Sequence, residues 1–223
     1  MKKTLLFATL LAGGILHVTP SYALPGLAIT EWMYNPSSTG GEFVEFTNLS
    51  LAPINMTGWS FDDSSEIPGS ESLSGFGTVA PGESVIFTES TAAVFRTTWG
   101  LSASVKIVGG NTDNLGRSDE INLYNASNVL VDRLTFNDQG TGNVAGPRTA
   151  GISGRPSSLA AIGANNASAW VLSSVGDIEG SHTSTAGDVG SPGFTSFAVP
   201  EPSAIVALIG GVGIVALRRR RTT

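Results

Sequence analysis

Two stretches of the chain gather oxygen donors of the kind a hard cation takes. One is Asp62-Asp63-Ser64-Ser65-Glu66; the other is Asp113-Asn114 with Asp119-Glu120. Carboxylates and hydroxyls carried on loops suit calcium. Neither stretch has the EF-hand frame, and Asp and Ser also favour turns for hydrogen bonds of their own. The reading is therefore no cofactor, with Asp62, Asp63, Glu66, Asp113, Asp119 and Glu120 as the candidates should calcium bind. Material for catalysis is thinner. His17 falls in a leader-like segment, which leaves His182 as the one imidazole of the body, in a Gly/Ser/Thr-rich stretch ill suited to holding a base rigidly. The nearest thing to a nucleophile elbow is "GISGR", where Arg155 replaces the second glycine that the tight turn needs. Phosphate-loop and His-Glu-x-x-His patterns are missing from the sequence. Paired carboxylates could act as a glycosidase acid and nucleophile, but so acidic a body forms chance pairs and none sits in a recognisable frame. The body reads as non-catalytic; the alternative is an envelope-associated hydrolase using carboxylates or calcium. With 0 cysteines, disulfides and thiolate metal sites are excluded.

The elements that would carry these residues are short and β-rich. "LAITEWMYN", "EFVEFTNLS", "MTGWSFDD", "ESVIFTES", "SVKIVGG", "DEINLYN" and "NVLVDRLTFND" concentrate Val, Ile, Thr and aromatic residues between turn-rich segments. In "EFVEFTN", Val44 and Phe46 share one face and Glu45 and Thr47 the other, the alternation of a half-buried strand. "TAAVFRTTW" predicts a short helix over residues 91–99, with Thr91 able to cap its N-terminus. Strands at this spacing predict an all-β, antiparallel sandwich. Asp132 shares the parity of Leu130, Leu134 and Phe136, so a regular strand would aim it at the core. A β-bulge that re-aims it, or a hydrogen-bonded buried carboxylate, resolves the conflict. Trp32 and Trp59 read as core aromatics, with carbohydrate stacking as the alternative role. After Asp138 the composition turns to Gly, Ser and Ala, which bury little apolar area. Residues 139–198 are thus expected to be an extension only partly docked on the sandwich, through Trp170-Val171-Leu172.

The two ends carry addresses. Residues 1–23 combine Lys2 and Lys3, an apolar run too short to span a bilayer, and small residues up to Ala23, the pattern of a secretory signal cleaved after Ala23. Residues 204–217 are all apolar or glycine, about 21 Å as a helix of ~1.5 Å rise, against a hydrocarbon core of ~30 Å. This is a marginal membrane helix, whose arginines can snorkel to the interface and are expected to stay cytoplasmic. The chain holds 12 basic and 18 acidic residues; the leader takes two of the basic ones, and the tail takes four together with Glu201. The body between them keeps 6 basic and 17 acidic residues, a net charge of −11. That balance disfavours nucleic acid, which needs clustered Lys and Arg.

Val199-Pro200-Glu201-Pro202-Ser203, the apolar helix, and Arg218, Arg219, Arg220 and Arg221 follow one another in the order of the PEP-CTERM class of bacterial sorting signals, which this tail resembles. The resemblance implies an exosortase as partner, transient anchoring in the cytoplasmic membrane, removal of the tail near Pro-Glu-Pro, and a life at the cell surface or in an extracellular polysaccharide matrix. The middle of the chain resembles a lamin tail domain, an immunoglobulin-like sandwich. Ile29-Thr30-Glu31, Met33-Tyr34-Asn35-Pro36, Glu42-Phe43-Val44-Glu45-Phe46, Asn48, Thr57-Gly58-Trp59, Ala80-Pro81-Gly82, Phe95 with Gly100, Asp119-Glu120-Ile121-Asn122-Leu123 and Val131-Asp132 carry that likeness. Phe46-Thr47 stands where the pattern usually has an aliphatic-Tyr pair. The likeness assigns the sandwich to residues 24–138 and implies a structural or adhesive binding module, with polysaccharide or surface proteins as its partners.

Overall fold

The computed structural model describes residues 26–37 and 40–198. The signal ending at Ala23, the motif Val199 to Ser203, the helix at 204–217 and the four arginines lie outside the described residues. Within them the strands are β1 (Leu27–Met33), β2 (Phe43–Asn48), β3 (Ile54–Asn55), β4 (Ser60–Asp62), β5 (Glu71–Ser72), β6 (Thr78–Val79) and β7 (Ser84–Thr88). They continue with β8 (Lys106–Gly109), β9 (Ser118–Tyr124), β10 (Leu130–Asn137), β11 (Gly154–Pro156), β12 (Trp170–Leu172), β13 (His182–Thr183) and β14 (Val189–Gly190). One α-helix, α1 (Ala92–Trp99), joins β7 to β8.

The main sheet has the order β12-β11-β1-β2-β7-β8, and the facing sheet β10-β9-β4-β5; β3 with β6 and β13 with β14 form two small ribbons. Every pair is antiparallel except β7 with β8. A parallel pair cannot be closed by a tight hairpin, and α1 supplies the crossover. Thr91 caps α1 by accepting the Val94 N–H at 3.3 Å, and Gly100 ends it at φ +64°, in the left-handed region. The sandwich and the helix predicted from the sequence are both present. Among the described residues no helix is long and apolar enough to cross a membrane.

The core between the sheets joins Ile29, Trp32, Val44, Phe46, Val85 and Phe87 of the main sheet to Phe61, Ile121, Leu123, Leu134 and Phe136 of the other. Trp32 stacks on Phe136 with ring centroids 4.1 Å apart, and Trp59 packs half-buried against the same core. On the opposite face of the main sheet α1 lays Phe95 and Trp99 over Met33, Phe43 and Ile86. The ring of Phe43 meets those of Phe95 and Trp99 edge-on at 5.3 and 5.8 Å. The main sheet is therefore covered on both faces, and β2 is buried at every position. This corrects the half-buried reading of β2: Glu45 and Thr47 do face away from the core, but they do not face solvent.

Asp132 resolves its parity conflict in the second of the two ways the sequence allowed, as a hydrogen-bonded buried carboxylate. The register of β10 on β9 shifts between Leu130 and Asp132, a bulge that leaves Leu130 exposed while Asp132 keeps the inward parity of Leu134 and Phe136. There it is 6 % exposed, and its Oδ2 accepts the Ile29 N–H at 2.9 Å while Oδ1 accepts the Arg133 N–H at 2.8 Å. Ile29 borders a second bulge, between Ile29 and Glu31 of β1, and its N–H goes to this carboxylate. Burial raises the Asp132 carboxyl to about 6, against the two N–H bonds that pull it down. Asp132→Ala leaves two buried amide donors unmated and should lower the unfolding free energy by about 1–3 kcal/mol. Asp132→Asn, which keeps an acceptor, should lose less; urea denaturation of the two variants checks the order.

Candidate functional site

The calcium candidates meet at one end of the sandwich, where the loop after β4 folds over the loops flanking β9. Asp62 is fully buried; its Oδ2 accepts Ser65 Oγ at 2.8 Å and the Ile67 N–H at 2.6 Å, while Oδ1 has no hydrogen-bond partner. Asp63 Oδ1 accepts the Ser65 N–H at 2.9 Å, closing an Asx turn. Asp119 accepts the Gly116 N–H at 2.7 Å and the Ser64 N–H at 3.2 Å, and Asp113 accepts Ser70 Oγ at 2.7 Å. Glu66 and Glu120 are drawn together by a cation of the protein itself: Arg133 places Nη2 2.7 Å from Glu66 and Nε 3.5 Å from Glu120. Arg133 Nε also donates to Asn122 Oδ1 at 2.5 Å. The structure thus brings all six candidates to one region and employs them in turns and an ion-pair triad. Among the described residues no three His, Asp or Glu groups converge to hold a metal ion. A depression of about 220 Å³ opens beside them, lined by Ser64, Ser118, Asp119, Glu120 and Thr135 among others.

Residues that sequence reasoning passed over are buried too. Glu42 is 3 % exposed and accepts the Leu115 N–H at 2.8 Å through Oε2. Burial first, then the charges of Glu89, Asp119 and Asp63, raise it to about 9 against that bond, so it is a neutral acid at pH 7. Glu31 and Glu45 are register partners on β1 and β2, both on the outer face of the main sheet and both at most 1 % exposed. Glu31 Oε1 accepts the Ser153 hydroxyl and the Ser191 N–H at 2.8 Å, and Oε2 accepts Ser191 Oγ at 3.3 Å. Glu45 Oε1 accepts Thr30 Oγ1 at 2.6 Å, and Oε2 accepts the Gly193 N–H at 2.7 Å. Thr30, Thr47 and Ser84 continue as a hydroxyl chain, with steps of 2.8 and 2.7 Å. Burial pushes both glutamates well above the ordinary carboxylate range, and for Glu31 the charge of Glu45 adds to it; the Ser and Gly donors pull the other way.

The lid over this pair is the Gly/Ser/Ala-rich segment. Strands β11 and β12 extend the main sheet beyond β1, through Trp32 opposite Gly154 and Pro156 opposite Trp170. Ser153, Ser173, Ser191 and Thr195 are all at least nine-tenths buried. Gly190 lies on Glu31 so closely that a Cβ there would stand 2.8 Å from Oε1 and 2.9 Å from Ser153 Oγ. Gly193 reaches Glu45 with φ +95°, a backbone state that favours glycine. The segment read as partly docked contributes strands, a buried polar layer and close backbone contacts. Its composition hides this because its contribution is made of hydroxyls and N–H groups, not apolar side chains.

The remaining chemistry is placed structurally. Ser153 of "GISGR" is buried against Glu31 and Ser173. His182 Nε2 sits 3.2 Å from the Trp99 carbonyl oxygen, and its ring meets Trp99 edge-on at 5.8 Å. Trp32, Trp99 and Trp170 are buried, and Trp59 is half-buried. The lamin tail domain family model matches residues 20–138, more than half of the chain. The chain belongs to the lamin tail domain family. No curated protein and no solved structure matches it. The match to the lamin tail domain ends at Asp138, just after β10, so it includes Glu31 and Glu45 but none of the donors that reach them from Ser153, Ser191 and Gly193. A chain ending at residue 138 would expose two apposed carboxylates and the apolar edge of β1. It should keep sheet-type far-UV circular dichroism, lose its near-UV signal and bind ANS. The same measurements on residues 24–198 should show a closely packed protein.

Proposed function

We propose that this lamin tail domain is a non-catalytic binding or structural module of a bacterial surface or extracellular matrix. Export follows the signal ending at Ala23. Sorting follows recognition of Val199, Pro200, Glu201, Pro202 and Ser203 by an exosortase, with Arg218, Arg219, Arg220 and Arg221 holding the transient membrane helix on the cytoplasmic side. The observation that carries the non-catalytic reading is where the reactive side chains are employed. Asp62, Asp63, Asp113 and Asp119 bond loop donors, and Glu120 bonds Thr135 of β10. Glu31 and Glu45 hold the lid, and the His182 ring rests on a backbone carbonyl. A site built for turnover would keep such groups free and aimed at a common point. Calcium has a place in this proposal only at the Asp62–Glu120 end, as a stabiliser of loops.

Partners of this module are extracellular polysaccharide or neighbouring surface proteins. Its acidic, hydroxyl-rich surface suits hydrated polymers held by many weak hydrogen bonds rather than by a deep pocket. Purified protein of residues 24–198, incubated with matrix polymer extracted from the producing cells, should co-sediment with the polymer and release no new reducing ends. Release of reducing ends that scales with protein concentration would make it a hydrolase instead. Mass spectrometry of the C-terminal peptide from native cells should find an end near Pro200, without the arginines. An intact arginine-bearing end would refute the sorting.

A further inference from the structure

The strap formed by residues 181–198 is the last part of the lid, and it lies over the greatest concentration of buried negative charge in the main sheet. Glu31 takes two of its donors from Ser191 and Glu45 takes one from Gly193. Glu179, 2 % exposed, takes the Ser196 N–H at 2.5 Å and Ser196 Oγ at 2.6 Å. Among the described residues no Lys, Arg or His bonds any of these three carboxylates. The charged groups of the adjoining elements are committed elsewhere. Arg155 of β11 pairs with Asp177 at 2.9 Å, and Asp177 also accepts the N–H groups of Ser174, Glu179 and Ser181. Asp188 accepts the Ser37 N–H at 2.8 Å, and His182 rests on the Trp99 carbonyl.

Such a group of carboxylates tolerates a strap on top of it only while it carries less than its full charge. Glu31 and Glu45 are at most 1 % exposed, and Ser191 and Gly193 of the strap lie directly on them. Water can therefore reach it most readily by lifting the strap. The strap is held by polar contacts more than by apolar area: the Val189 N–H on the Gly151 carbonyl at 3.0 Å, the Ser153 N–H on the Val189 carbonyl at 2.8 Å, the Thr185 N–H on the Thr98 carbonyl at 2.9 Å, Ser37 Oγ on the Ala186 carbonyl at 2.8 Å, and Phe197 packed on Ala28, Leu49 and Ile162. Such segments open locally at much less than the cost of unfolding the core.

We infer that residues 181–198 are a proton-operated latch, closed while the Glu31–Glu45 pair retains a proton and lifted when both glutamates are ionised beside Glu179. The direction follows from burial. Both glutamates are pushed up in the closed state, so the closed state binds more protons than the open one. Its advantage is complete at acidic pH and falls as the pH climbs from the ordinary carboxylate range through their raised values. Lifting the strap uncovers the hydroxyl chain of Thr30, Thr47 and Ser84, and frees the segment that leads into Val199. The latch ties presentation of that segment to the pH outside the cell.

Hydrogen exchange of the full-length protein, read by mass spectrometry and corrected for intrinsic rates, tests this at pH 6 and pH 9. Peptides from 181–198 should lose protection at least about tenfold on going to pH 9, the change that one unit of pKa difference produces, while β9 and β10 stay protected. In the Glu31→Gln/Glu45→Gln double variant the strap's protection should be independent of pH. Gln can satisfy both sites, since the hydroxyls of Ser191, Thr30 and Thr47 can reverse to accept from its amide. Should the double variant not fold, the single Glu45→Gln variant should retain less of the pH response than the wild type. Equal protection of the wild-type strap at the two pH values, or loss of β9 and β10 together with the strap, would overturn the latch. So would an unchanged pH response in whichever variant folds.

Discussion

Two glutamates facing each other across β1 and β2 cannot be shut away from water unless something donates hydrogen bonds to them, and nearly everything unusual about this sandwich follows from that need. Their own strands offer only hydroxyls, from Thr30 and Thr47. The further donors are Ser153, Ser191 and Gly193, which lie more than a hundred positions away in the chain. An unmated buried carboxylate costs far more than a hydrogen bond gains, so the lid and the pair are obligatory partners. Gly190 is small for this reason, since the strap's backbone lies directly on a Glu31 oxygen, and Gly193 is a glycine because its N–H reaches Glu45 from a left-handed backbone state.

The outer face of the main sheet is divided between two kinds of cover. Met33, Phe43 and Ile86 receive the apolar side of α1, where Phe95 and Trp99 exclude water by area. Beside them Thr30, Glu31, Glu45, Thr47 and Ser84 receive the strap, which works through donors placed at fixed points. Trp99 touches both regions, packing on Phe43 and offering its carbonyl to His182. Between the sheets, Asp132 ties β10 to the bulge in β1, so that the strand carrying Glu31 is held from the core side as well. One bulged strand therefore anchors both sheets and the lid.

Much of this was legible in the sequence where the signal is apolar. The short runs rich in Val, Ile and aromatics became strands, Thr91 and Gly100 bounded α1, and the parity of Asp132 aimed it at the core, where it is buried and hydrogen-bonded. What stayed hidden is polar. Glu45 alternates with Val44 and Phe46 just as a solvent-facing residue would, and nothing local reveals that a distant segment will cover it. The Gly/Ser/Ala-rich stretch looks poor in core material because it buries hydroxyls and amides instead. The acidic candidates read as two separate loop stretches, but Asp62 lies in β4 and Asp119 and Glu120 in β9, and only the geometry brings the two stretches together and sets Arg133 between Glu66 and Glu120.

The stability of the fold is divided between apolar and polar groups. The apolar core secures the sandwich, while the last strands rest on groups that respond to protons. Carbon-detected NMR titration of the Glu31 and Glu45 side-chain carboxyls is the most direct measurement of the interaction on which all this depends. Midpoints well above the reference value of about 4.3, with the Ser191 and Gly193 amide resonances moving in step, are the predicted result. Midpoints near that reference, with those two amides unaffected, would show solvated glutamates with no lid upon them and would contradict the account.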